Sequence, residues 1–133
     1  MTLMNLEPMA ALAANQMVDP SDPKISENTI TKSLAVLAEQ GVYAFGLFLA
    51  TRKEKEARAV GLIDKQTRDL LKETKLYSTT QPDKASYYRG ITAEQPGESA
   101  TDALRRLLLT KQLMETTLTY ARYHAKALGK AGT

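Results

Sequence analysis

From Val42 to Ala50 the chain reads VYAFGLFLA, nine residues without a charge, between a Gln40-Gly41 break and the charge-dense run TRKEKEAR. A bilayer span needs about 20 apolar residues, so this stretch is too short to be one. It is apolar all round, which an ordinary surface helix is not, and it predicts a central helix covered on most sides. An enzyme of this size would arrange its chemistry around such a core. No such chemistry is legible, so the core is expected to support a surface that binds something.

The rest of the chain reads as helix. Apolar residues recur at helical spacing, and no Asn-Gly or Asp-Gly hairpin turn separates alternating runs. A first helix is predicted over Thr2 to Met17, starting near Glu7 or kinked at Pro8. Asp19 to Pro23 reads as a loop. A second helix starts at Ser26 or Asn28, either of which can cap it. Ile30, Leu34, Leu37 and Ala38 share its apolar face, and Gly41 ends it. The apolar helix follows, to about Lys53. A fourth covers Lys55 to Lys75, with Gly61 as a potential break. Arg58, Lys65, Arg68 and Lys72 form a basic stripe along it, flanked by Asp69 and Glu73. Residues 76–98 read as a long polar loop, mobile or functional, with at most a helical turn near Pro82 to Tyr88. Ser99 or Thr101 caps a last helix that runs to Leu128. Leu104, Leu107, Met114, Leu118, Ala121 and Ala125 form its buried stripe, with Lys111 inside it. The expectation is one all-α domain over 1–133, a compact bundle of five to six helices.

Composition narrows the function. The 133 residues suffice for one domain with a core, and there is no cysteine for disulfides or thiolate metal sites. The lone His124 has no partners at metal-ligand spacing, so it reads as a surface or packing residue. No Gly-rich phosphate loop and no partnered nucleophile appears. The chain is therefore read as a non-enzyme, without cofactor, metal or small-molecule substrate. Met1 to Asn15 carries Glu7 and no Lys or Arg, so no secretory signal is read there, and a cytoplasmic, non-membrane location is expected.

Charge is uneven. Net charge is +3, but residues 1–50 sum to −3, while 51–75 and 76–133 sum to +3 each. The excess of cations after Ala50 points to an anionic partner, against the plainer reading of scattered solubilising charge. Tyr77, Lys84, Tyr87, Tyr88 and Arg89 interleave rings and cations as single-stranded nucleic-acid binders do. The competing reading is that these tyrosines cover the edge of the core. Arg105-Arg106 and the pair Arg122 and Lys126 add further basic positions. Lys111 either snorkels to the surface or meets a partner.

Two blocks carry a family likeness. ITKSLAVLAEQGVYAFGLFLATRKEKE, Ile30 to Glu56, and LRRLLLTKQLMETTLTYARYHAKAL, Leu104 to Leu128, resemble the small α-helical subunit of the Cmr (type III-B) CRISPR effector complexes. Together they cover about two-fifths of the chain. The first pairs a helix ending in a polar residue plus Gly with an apolar helix that has a basic end. The second has Thr-Lys near its start and Arg plus an aromatic near its end. Met9 to Met17 departs from the family in lacking an arginine, and Leu76 to Ser99 has no counterpart, which leaves open a small subunit of another type III complex. The resemblance implies a non-catalytic subunit in antiviral defence. Copies of it stack beside other Cmr subunits and line the groove where target RNA pairs with guide RNA. By position it implies RNA contact for Arg52, Lys53, Lys111, Arg122 and Lys126.

Two other readings stand beside it. One is a stand-alone helical protein-interaction module or adaptor without nucleic-acid binding. The other is a helix-turn-helix protein centred on Gln40-Gly41, which VYAFGLFLA argues against because it offers no polar side chains to base edges.

Overall fold

The computed structural model describes residues 6–52 and 54–131. Among them the chain forms six α-helices and no strand, so the all-α expectation holds. In order they are α1 (Leu6–Met17), α2 (Pro23–Gln40), α3 (Val42–Thr51), α4 (Ala57–Glu73), α5 (Lys84–Ile91) and α6 (Ala100–Ala131). A three-residue 3-10 turn, Glu54–Glu56, leads into α4.

Local chemistry sets the ends. Pro8 falls in the first described turn of α1, where a missing N–H is harmless. The α2 cap differs from the expectation: it is Asp22, whose carboxylate accepts the Ile25 N–H at 3.2 Å, with Pro23 as the first helical residue. Ser26 lies inside the helix, and its hydroxyl accepts the Asp19 N–H instead. Asp19 organises the loop before α2. Its carboxylate takes the Ser21 N–H at 3.0 Å and the Ser21 hydroxyl at 2.7 Å, and pairs with Arg58 at 2.6 Å. The Ser21 hydroxyl, then its N–H, hold that carboxyl below its ordinary value. Gly41 separates α2 from α3 at φ 98°, ψ −175°, a region essentially open to Gly alone. Gly61 breaks nothing, and α4 runs through it. Ser99 caps α6, accepting the Asp102 N–H at 3.1 Å, and the helix passes Gly129 to reach Ala131.

α2 and α6 are antiparallel neighbours. The Lys111 ammonium meets the Ala38 carbonyl near the end of α2, while Lys126 and Lys130 lie beside Pro23 and Lys24 at its start. α1 packs on α6 and α4, and α3 packs on α2 and α5. Ile30, Leu37, Phe45, Ile63, Leu71, Met114 and Leu118 meet in one core. Leu113, Thr110 and Thr117 join the buried face of α6. Leu104, expected in that face, is 56% exposed, and Leu108 one turn on is 58% exposed. α3 is also less covered than its composition implies, since Tyr43 and Leu47 form an exposed ridge along it.

The largest departure is residues 76–98. They contain α5, capped by Asp83, which accepts the Ser86 N–H at 2.9 Å. α5 sinks Tyr87 and Tyr88 into the core at 1% and 0% exposure. Phe45, Tyr88, Tyr87 and Tyr77 form a chain of edge-to-face rings with centroids 4.9–5.2 Å apart, each pair worth about 0.5–1.5 kcal/mol beyond burial. The Tyr88 hydroxyl donates to Asp64 at 2.9 Å. Gly46 makes this packing possible, because a Cβ there would lie 2.5 Å from that of Tyr88.

Candidate nucleic-acid interface

Which cations are available to a partner depends on which ones the fold consumes. Arg68 is consumed. It pairs with Asp64 at 3.1 Å, donates to the Gln81 and Pro82 carbonyls, and lies 4.2 Å above the Tyr87 ring. Arg106 is consumed likewise. It pairs with Glu98 at 2.9 Å and donates to the carbonyls of Ile91 at 3.0 Å and Ala93 at 2.8 Å. The two guanidiniums therefore staple both ends of the segment around α5, using the planar fork that lysine lacks. Arg106, then the Gln95 N–H, hold the Glu98 carboxyl below its ordinary value. Lys65 pairs with Asp69 at 2.9 Å and Arg58 with Asp19, so the expected stripe on α4 is largely engaged within the chain.

Of the five residues expected to touch RNA, the four that are described do not form one cluster. Lys53 lies outside the described residues. Lys111 snorkels: its ammonium lies 3.4 Å from the Ala38 carbonyl, where cations favour a helix C-terminus, and 3.6 Å from Glu115. Arg52 caps the end of α3 with its guanidinium 4.4 Å over the Phe48 ring. Arg122 is half-buried on α6. In both arginines Nε is shielded from solvent and has no hydrogen-bond partner among the described residues. Lys126 is exposed.

Lys126 is where the structure adds something. It lines an open hollow of about 430 Å³ with Lys24, Lys130, Pro23, Glu27, Ala125 and Gly129. The first turn of α2 and the last turns of α6 thus bring Lys24, Lys126 and Lys130 around one space, with Glu27 the one carboxylate among the described residues that line it. The positive end of the α2 dipole adds to their field, moderated by the Asp22 cap. Lys24 escaped the sequence reading because it lies in the acidic first fifty residues. Its only local signal is a cation in the first turn of a helix, where the dipole disfavours one.

The tyrosines give a clear answer. Burial of Tyr87 and Tyr88 removes them as stacking platforms for bases, and the core-covering reading holds for both. Tyr77 is half-buried against Tyr87. His124 is half-buried on α6, and among the described residues no three His, Asp or Glu side chains gather to hold a metal. No described helix is long and apolar enough to cross a membrane. No family model, curated protein or solved structure matches the chain.

Proposed function

We propose that the chain is a non-catalytic, RNA-contacting helical subunit of a guide-RNA-containing type III-B (Cmr) CRISPR effector complex, working in the cytoplasm in antiviral defence. The observation that carries this reading is the basic corner where α6 meets the start of α2. Lys126 and Lys24 are exposed there, and Arg122 lies one turn before Lys126. The likeness of the Leu104 to Leu128 block supplies the kind of polyanion. RNA backbone phosphates meet the corner, while sequence is read by guide pairing rather than by this chain. Other Cmr subunits and further copies of the chain hold it against the guide–target groove.

The test is purification of the tagged chain from its native cells, followed by sequencing of co-purified RNA. Recovery of guide RNA with the other effector subunits is the expected result. Recovery of the chain alone, or with proteins and no guide RNA, refutes the reading.

A second reading has one specific observation in its favour. Tyr43 with Leu47, and Leu104 with Leu108, are exposed apolar pairs four residues apart, the spacing of a helix-packing ridge. They suit a stand-alone protein-interaction module, and they equally suit contacts between subunits of a complex.

A further inference from the structure

A second basic hollow lies between α4 and the irregular stretch that follows it. It measures about 210 Å³ and is lined by Arg68, Asp69, Lys72, Ser78, Thr79 and Tyr87. A water needs only about 10–15 Å³ by the same measure, so there is room for a tetrahedral oxyanion. Tyr87 is 1% exposed, yet its phenol oxygen has no hydrogen-bond partner among the described residues. A buried hydroxyl left unpaired is costly, and native proteins rarely carry one without a reason. Burial pushes this phenol well above its ordinary pKa, so at neutral pH it is protonated and can donate.

The remaining lining is donor-rich. Arg68 has five N–H groups and commits three of them, to Asp64, Gln81 and Pro82, which leaves two. Lys72 is exposed on the same helix, one turn on. Ser78 and Thr79 add two hydroxyls. Asp69 is the one carboxylate in the lining, and Lys65 pairs with it at 2.9 Å. Two cations, hydroxyl donors and an unmet buried phenol are the chemistry that recognises phosphate.

We propose that the hollow bounded by Arg68, Lys72, Ser78, Thr79 and Tyr87 is a binding site for a phosphate group. It is separate from the Lys24–Lys126 corner and does not depend on the RNA reading.

The test is a ¹H–¹⁵N NMR titration of the full chain with inorganic phosphate at constant ionic strength, with chloride as the control. Parallel arms use a 5′-mononucleotide and a dinucleoside whose only phosphate is an internal diester. Saturable shifts at Lys72, Ser78, Thr79 and their neighbours are expected, independent of any at the Lys24–Lys126 corner. A preference for the mononucleotide identifies a terminal phosphate monoester as the ligand, and equal binding identifies a polynucleotide backbone. Lys72→Gln and Tyr87→Phe each weaken binding about tenfold, the effect of one lost charge-assisted or buried hydrogen bond. Tyr87→Phe does so without lowering Tm, because it removes an unpaired hydroxyl. Lys24→Gln with Lys126→Gln leaves the shifts at Lys72, Ser78 and Thr79 unchanged. Shifts no larger than those with chloride overturn the proposal, as does equal affinity in Lys72→Gln, Tyr87→Phe and the parent.

Discussion

Two glycines inside helices are expected to respond to alanine with opposite signs. At Gly46 the added Cβ would stand 2.5 Å from Tyr88 Cβ and 2.9 Å from its Cγ and Cδ2. Carbon pairs settle at about 3.5–4.0 Å, so α3 and α5 must separate by about 1 Å, because turning the Tyr88 side chain leaves its Cβ in place. Turning the ring away from the other two contacts is blocked as well. The ring is fully buried, lies edge-to-face with Phe45 and Tyr87, and is tethered through its hydroxyl to Asp64. Overpacking of this kind costs about 1–3 kcal/mol or more, against about 1 kcal/mol regained from helix propensity. With a contact this short the cost lies in the upper part of that range, so the expected net loss for Gly46→Ala is about 1–2 kcal/mol, or a Tm drop of about 4–7 °C for a domain of this size. At Gly61 nothing lies within 4 Å of the added Cβ and the helix is continuous. Gly61→Ala should therefore gain about 0.5–1 kcal/mol. Urea unfolding followed by circular dichroism at 222 nm reads both, with m unchanged as the check on the two-state assumption. A Gly46→Ala protein as stable as the parent would show that α5 does not press on α3 as described.

Other consequences are independent of that contact. Gly41→Ala should cost about 1–3 kcal/mol in the same assay, because its backbone region excludes a side chain. Arg68→Met should raise amide exchange through residues 79–91 while α2 and α6 keep their protection, and Arg68→Lys should not restore it, since an ammonium cannot reproduce the fork. Unchanged exchange in Arg68→Met contradicts the staple. The carboxyls of Glu98, Asp83 and Asp19 are held below their ordinary values, so they bind fewer protons folded than unfolded. Their contribution to stability is complete above the unfolded values of 4.5 and 3.8 and is lost as pH falls below them. Glu98→Gln should then be less stable than the parent at pH 7 and converge on it in acid. A gap that stays constant with pH speaks against the ion pair with Arg106.

Much of the architecture was legible because it is written in local period. The spacing of Ile30, Leu34 and Leu37, the Gly41 break and the apolar run after it place α2 and α3 within a few residues. What failed was information that exists only between helices. Tyr87 and Tyr88 sit in a polar stretch and read as loop residues. They are buried because Gly46, forty residues earlier, leaves space for one of them. Leu104 fits the apolar period of α6 but lies where no neighbouring helix covers it. Charge was the least legible property. Arg68 and Arg106 look in sequence like Lys72 and Arg105, yet the first two bind carbonyls of their own chain while the latter two are exposed. The cation expected to be most unusual, Lys111, serves the end of α2. Lys24 joins Lys126, about a hundred residues on, only through the antiparallel pairing of α2 and α6.

The most direct measurement is the salt dependence of affinity for a guide–target RNA duplex, compared between the parent and a Lys24→Gln, Arg122→Gln, Lys126→Gln variant. With each phosphate contact contributing about 0.7–0.9 to the slope, three contacts predict log K against log salt falling with a slope of roughly −2 to −3. The variant should retain the fold and lose most of that slope. Equal affinity and equal slope in the two proteins would contradict the placement of RNA on the α2–α6 corner.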